Sequence, residues 1–198
     1  MSPTVAPAPP AETRNNLGRA SALTVISVVR PLGVPWLRFL FFVATHVPQI
    51  LNRLRKLSFI HFARWSIMRE LPGAGPGGKP LKLRNTHLFF ESNFNGTWSQ
   101  YIDAFSYCVP RDIEAIWKSS YDFPGALPAQ PFKAYIIGHE YEAEHYYSAY
   151  PEATSTMIAD ALALRRDLDK LRRGAASMSP QEFETAWQAF LVANQRRV

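Results

Sequence analysis

Two short segments of the chain carry side chains that can bind an anion or move a proton. His61 and Arg64 lie in IHFARWSIMRE (residues 60–70), and Glu91 lies in THLFFESNFNGTWSQYIDAF (residues 86–105). A histidine can act as a general acid or base near neutral pH, and a guanidinium group binds carboxylates through paired hydrogen bonds. We therefore predict a catalytic group of His61, Arg64 and Glu91, in which His61 moves a proton and Arg64 holds an anion.

The alternation of side chains along a β-strand determines which of these groups can meet. Residues 59–68 and 86–94 have the composition of strands, and neighbouring antiparallel strands present aligned faces. Arg64 or His61 is then expected near Glu91. The structural alternative is a buried Arg–Glu ion pair and a histidine that belongs to the core.

Aromatic and amide side chains near these groups predict the walls of a pocket for a hydrophobic, acidic ligand, such as a fatty acid or a polyketide-like molecule. The predicted ligand-binding residues are Asn93, Trp65, Trp98, Tyr101, Trp117 and Tyr147. Part of this region also has a structural explanation, because Asn95-Gly96 is a turn sequence and Thr97 or Asn95 can cap the helix that follows.

The other motifs predict no metal ligands. The segment HEYEAEH (residues 139–145) places two histidines six residues apart in a predicted strand, whereas the zinc-protease motif needs HExxH on a helix. An exposed acidic sheet edge is the simpler interpretation. The sequence contains no P-loop, nucleophile elbow or zinc-finger spacing. The single cysteine, Cys108, fits a core position and a reducing cytoplasm.

The charge of the chain is unevenly distributed. Residues 1–84 contain 12 Lys/Arg and 2 Asp/Glu, whereas residues 85–198 contain 10 Lys/Arg and 14 Asp/Glu. The basic residues lie among large apolar side chains, which favours a membrane surface over nucleic acid as the partner. A basic, solvated protein face is the alternative.

Residues 33–57 are the segment that we expect to meet a membrane. Their uncharged stretch of 13 residues, 39–51, is shorter than the roughly 20 residues that a membrane span needs. We therefore expect a cytoplasmic protein that lies peripherally on the membrane, or a helix packed on the sheet. The predicted membrane-contact residues are Trp36, Phe39, Arg53, Arg55 and Lys56.

The predicted elements follow the order β-α-β-β-α-β and then two helices. Their predicted ranges are a strand at 22–31, a helix at 33–57 broken at Pro48, strands at 59–68 and 86–94, a helical segment at 95–124 divided at Pro110, a strand at 131–140, a short possible strand at 144–150, a helix at 152–173 and a last helix from Pro180. This order predicts an α+β, ferredoxin-like antiparallel sheet with helices on one face. The predicted domains are a disordered Pro-rich tail (1–20), the ferredoxin-like domain (21–151) and a C-terminal helical extension (152–198).

This layout resembles the dimeric α+β barrel superfamily, and within it a group of uncharacterised bacterial proteins. The resemblance rests on HFARW in the second strand, LFFESNFNGTWSQYIDAF across the third strand and its helix, and the FKAYI and YSAYP segments, and it covers residues 22–170. The superfamily includes cofactor-free monooxygenases, stress-responsive barrel proteins, chlorite-dismutase-like enzymes and dye-decolourising peroxidases. The resemblance implies a homodimer with a cavity between two sheets, and oxidative chemistry as one use of it.

Haem is the commonest cofactor of that superfamily, and its haem enzymes generally hold the iron through a histidine on a helix. The helical residues 97–120 contain no histidine, so the chain departs from this pattern and leaves His61 or His139 as the remaining candidate ligands. Two hypotheses follow for the function. The first is a small-molecule enzyme or binder, and the second is a non-catalytic accessory protein that docks on a membrane surface or a partner enzyme.

Overall fold

The computed structural model describes residues 15–47, 54, 57–75 and 77–197. Most of the predicted N-terminal tail lies outside these residues, and so do the predicted membrane-contact residues Arg53, Arg55 and Lys56. The described part of the chain is an α+β protein with a four-stranded antiparallel sheet. Its elements, in chain order, are β1 (Asn16–Leu17), β2 (Ala20–Val29), α1 (Gly33–His46), β3 (Ile60–Leu71), β4 (Leu81–Asn95), α2 (Trp98–Cys108), α3 (Pro110–Trp117), α4 (Ala129–His139), α5 (Ser155–Ala175) and α6 (Pro180–Asn194).

The long strand β4 organises the sheet, because it lies between β2 and β3 and pairs antiparallel with both. Its register places Glu91 opposite Thr24 of β2 and opposite Arg64 of β3. Alternate residues of β2 from Ser21 to Val29 are buried, and the residues between them are half-buried. The sheet therefore has a core face and a second face, called here the outer face, which carries Arg64 and Glu91.

Aromatic contacts close the core face of the sheet. Phe90 of β4 lies 5.1 Å from Trp65 of β3 and meets Trp117 of α3 edge-on at 5.2 Å between ring centroids. Phe94 stacks on Tyr101 of α2 at 3.8 Å. Such pairs add to the stabilisation that comes from burying apolar surface. Helices α1 to α4 all contribute buried residues to this one cluster, so they lie on the core face.

The strand predicted at residues 131–140 is wrong, because residues 131–139 lie in helix α4. The buried residues Phe132, Tyr135 and Ile136 recur at helical rather than alternating spacing, and Pro131 is tolerated in the first turn of a helix. The β-branched and aromatic composition of the segment favoured a strand, but its burial period decided the structure. Only Glu140, just after α4, forms an isolated bridge with Val25 of β2.

Residues 141–150 contain no strand, although the sequence allowed a short one there. The short strand β1 lies inside the segment that we predicted as a tail, where it pairs with the start of β2. Within the described residues the fourth long strand of the βαββαβ plan is therefore absent. The prediction of an α+β protein with an antiparallel sheet is confirmed. The ferredoxin-like βαββαβ arrangement is not confirmed.

Several helix boundaries agree with the sequence signals. Pro110 separates α2 from α3, and α2 begins with a capping box in which Thr97 and Gln100 satisfy each other's backbone N–H groups. Helix α6 begins with the predicted capping box of Ser179 and Glu182. The chain divides into two compact units between Glu152 and Ala153, and the second unit consists of α5 and α6. No residue of α5 is buried.

Replacing Thr97 tests the start of α2, the helix that places Tyr101 against the sheet. Thr97→Ala removes the oxygen that accepts the Gln100 backbone N–H, and we expect it to lower the free energy of unfolding by about 1 kcal/mol. Thr97→Ser keeps the hydroxyl and is the matched control. Urea denaturation followed by circular dichroism measures both variants. Equal stability of Thr97→Ala and Thr97→Ser would contradict this role of the cap.

Candidate functional site

Helix α1 presents an apolar surface to solvent. Arg38 is its only residue with a full charge among 14. With 3.6 residues per turn, Phe39 and Phe42 lie opposite the buried Val34 and Leu37, and their side chains are 59% and 61% exposed. A helix that is apolar all round is normally covered on every side. We call the exposed large apolar residues of α1 and of its two flanking cap positions the α1 stripe, which consists of Leu32, Trp36, Phe39, Phe42 and Val47.

Trp36, near the start of α1, is contacted by a backbone carbonyl group and by a lysine side chain. The indole N–H of Trp36 donates a 2.7 Å hydrogen bond to the carbonyl oxygen of Ala115 in α3. Lys118 places its Nζ 4.2 Å from the centroid of the Trp36 ring, within the range of a cation–π contact. Arg38 lies one turn before Phe42 on the same helix. The α1 stripe is thus a fixed aromatic surface with cations at its border.

The outer face of the sheet carries the predicted Arg64–Glu91 pair. Arg64 Nη2 lies 2.7 Å from Glu91 Oε2, and its guanidinium lies 5.5 Å from the centroid of the Phe89 ring. The Arg64 side chain is 64% exposed, so the pair contributes less than about 1 kcal/mol to stability. Asn93, on the same face, accepts a 2.6 Å hydrogen bond from the hydroxyl of Tyr146. Because the Arg64 side chain is exposed, a carboxylate that competes with Glu91 has access to its guanidinium group.

No hydrogen bond among the described residues joins His61 to Arg64 or Glu91. His61 is the extra residue of a β-bulge between Ile60 and Phe62, near the start of β3. Its Nε2 atom is buried and has no hydrogen-bond partner among the described residues. Arg64 is the residue that pairs with Glu91, so the structure assembles the predicted ion pair without the predicted proton carrier.

The aromatic residues predicted as pocket walls lie mainly in the core. Tyr101 and Trp117 are buried at 2% exposure each, and Trp65 packs on Phe90 beside a small apolar cavity of about 80 Å³. Tyr147 is the opposite case, because its side chain is exposed. A β-rich, aromatic sequence does not reveal which of its rings pack against helices. The rings of Tyr101, Trp117 and Trp65 therefore stabilise the core face of the sheet, and among the described residues they do not form the wall of an open ligand pocket.

Glu140 is a site residue that the sequence analysis did not single out. The indole N–H of Trp98, a predicted ligand-binding residue, donates a 3.0 Å hydrogen bond to Glu140 Oε2. The other oxygen, Oε1, is buried without a hydrogen-bond partner among the described residues. Burial raises the pKa of Glu140 to about 7, against the opposing effect of the Trp98 hydrogen bond. The acidic segment around it predicted an exposed edge, and no sequence signal marked this carboxyl as buried.

The described residues do not assemble a metal or haem site. No group of three or more His, Cys, Asp or Glu within them is arranged to hold a metal ion. His139 Nδ1 lies 2.8 Å from the carbonyl oxygen of Tyr135, and its ring packs on the Tyr135 ring. His61 is confined in its bulge, and neither histidine lines the apolar cavity beside Trp65. The described surroundings of these two histidines therefore give no support for either as a haem ligand.

Comparisons with known proteins give no relative. No protein-family model matches the chain. No curated protein and no solved structure matches it either. Among the helices of the described residues, none has both the length and the apolarity needed to cross a membrane.

The raised pKa of Glu140 predicts a pH-dependent cost to folding. The pKa of about 7 in the folded chain exceeds the ordinary value of 4.5, so folding favours the protonated carboxyl. This preference is fully present below pH 4.5 and is lost as the pH rises to about 7. Glu140→Gln removes the ionisation, and we expect it to be more stable than the natural chain above neutral pH, by an amount on the order of 1 kcal/mol.

Urea denaturation across this pH range measures the difference between Glu140→Gln and the natural chain. Glu144→Gln is the matched control, because it removes the same charge at an exposed position, whereas Glu142 itself contributes to the raised pKa of Glu140. A stability gain that is the same at acidic and alkaline pH, or the same in both variants, would mean that Glu140 does not titrate as described.

Proposed function

We propose that this protein is a non-catalytic accessory protein that docks on an anionic membrane surface through the α1 stripe. The observation that supports this function is the exposure of Phe39 and Phe42 on a helix whose only full charge is Arg38. Leaving this surface in water is costly, because apolar surface contributes roughly 25 cal/mol per Å² when it is removed from water. A partner that removes the α1 stripe from water therefore gains free energy from this apolar surface.

The charges around α1 favour an anionic lipid surface as that partner. Lys118 lies over Trp36, and Arg38 borders the stripe, while no Asp or Glu occurs in α1. The first 84 residues carry a large excess of Lys and Arg. A helix with apolar residues on one side and basic residues at its border lies in the headgroup region of a membrane, and anionic lipids strengthen its binding. An accessory role suits a surface of this kind, because docking alone uses no proton transfer.

Substituting the two exposed phenylalanines tests the docking. We expect the natural chain to sediment with vesicles of phosphatidylcholine and phosphatidylserine, and Phe39→Ser/Phe42→Ser to bind at least about tenfold more weakly, because two buried rings are lost. Leu162→Ser/Val192→Ser is the matched control, since both residues are exposed and apolar but lie in α5 and α6. Vesicle binding that is absent in the natural chain, or equally weakened in both variants, would refute the proposal.

A second candidate function is supported by the Arg64–Glu91 pair on the outer face. In this proposal the chain is a homodimer of the dimeric α+β barrel type, and a hydrophobic, acidic ligand lies between two outer faces. The elements β2, α1, β3 and β4 follow the first part of the ferredoxin-like order, with β4 between the other two strands. Arg64 then binds the ligand carboxylate, and Phe62 and Phe89 supply apolar contacts. Because no hydrogen bond among the described residues joins His61 to the Arg64–Glu91 pair, this geometry supports binding better than oxidative chemistry.

Decanoate, a simple fatty acid, is a suitable probe for this second function. We expect Arg64→Gln to remain folded and to bind decanoate at least about tenfold more weakly than the natural chain, because a charge-assisted contact is removed. Arg111→Gln, an exposed arginine of α3, is the matched control. Native mass spectrometry measures both the dimer and the bound mass. A monomer that carries no decanoate would exclude this function.

A further inference from the structure

A basic cleft lies at one end of the sheet, away from the Arg64–Glu91 pair. It has two adjoining parts, of about 430 Å³ and about 760 Å³. Arg38 of α1, Arg69 of β3 and Arg84 of β4 line both parts. Three guanidinium groups from three different elements thus border one space. We call this space the arginine cleft.

None of these three arginines has a hydrogen-bond or ion-pair partner for its side chain among the described residues. Among the described residues that line the cleft, Glu70 in the larger part is the only acidic one, and Lys82 also lies there. Cations that share a space repel one another, and salt screens this repulsion only partly at short range. An excess of unpaired positive charge in a concave site favours a bound anion with more than one negative charge.

The residues that line the smaller part of the cleft indicate which other chemical groups the anionic ligand contains. Pro31 and Pro35 expose apolar surface there, and Tyr121 adds an aromatic ring. Asn85 and Thr86 contribute neutral hydrogen-bonding side chains. A volume of about 430 Å³ lies within the range of small-molecule pockets. The site therefore combines a multivalent anion subsite with an apolar subsite.

We propose that the arginine cleft binds a phosphomonoester, with its phosphate among Arg38, Arg69 and Arg84 and its apolar body against Pro31, Pro35 and Tyr121. Arginine suits this role because its planar guanidinium donates paired hydrogen bonds to phosphate oxygens. A carboxylate bears one charge and satisfies fewer of these donors. The cleft shares Arg38 with the border of the α1 stripe, but Phe39 and Phe42 do not line it. A phosphomonoester has two sources, a free metabolite and a lipid headgroup.

Calorimetric titration of the full chain with phenyl phosphate tests the proposal directly. We expect binding by the natural chain, and at least a tenfold weaker affinity in Arg69→Gln/Arg84→Gln. Arg111→Gln/Arg166→Gln is the matched control, because it removes two positive charges from α3 and α5, and it should retain the natural affinity. Phe39→Ser/Phe42→Ser should also retain it, which separates this site from membrane docking. Circular dichroism verifies that each variant is folded.

Vesicles distinguish the two sources of the phosphomonoester. Stronger binding to phosphatidylcholine vesicles that contain phosphatidic acid than to those that contain phosphatidylserine at equal surface charge, lost in Arg69→Gln/Arg84→Gln, identifies the headgroup. Tight binding of phenyl phosphate without that preference identifies a free phosphomonoester. Binding of neither probe, or an equal loss in both double variants, would overturn the proposal, because diffuse charge alone would then explain any attraction.

Discussion

The double pairing of β4 is the constraint on which the first compact unit depends. Each residue of a paired strand faces one side of the sheet, so a shift of one residue would exchange the two faces. The observed register sends Phe90 and Phe94 to the core face, where they meet Trp117 and Tyr101. It sends Glu91 to the outer face beside Arg64. The aromatic packing and the exposed ion pair are therefore two consequences of one register, and neither is adjusted independently of the other.

The sequence predicted those features that depend on local rules. Alternation along β3 and β4 predicted that Arg64 or His61 would lie near Glu91, and the structure pairs Arg64 with it. Pro110 predicted the break between α2 and α3, and the Ser179 capping box predicted the start of α6. It failed at residues 131–140, where composition favoured a strand and tertiary burial imposed a helix. The environment of Glu140 and the arginine cleft depend on residues that are far apart in the chain. No local pattern brings Arg38, Arg69 and Arg84 to one space, so this part of the site was beyond prediction from a single sequence.

Helix α1 shows how one element can serve the core and an external partner. Val34 and Leu37 secure it to the sheet, and the Trp36 hydrogen bond to Ala115 fixes its rotation relative to α3. With its rotation fixed, the α1 stripe points outward as a rigid surface. A preformed surface loses less conformational entropy on binding than a segment that must fold on its target. The same helix supplies Arg38 to the arginine cleft, so the proposed docking surface and the proposed phosphate site adjoin along one element.

The position of β3 at the end of the described strand order has a consequence for how two copies can associate. A strand with one neighbour has backbone groups free to extend the sheet into a second molecule, which is a common start of aggregation. Register shifts between Ile60 and Phe62 and between Met68 and Glu70 interrupt β3 near both of its ends. Such irregularities bend and twist a strand and shorten the stretch that a foreign strand can match. The bulges thus act against the edge-to-edge addition of further strands to β3.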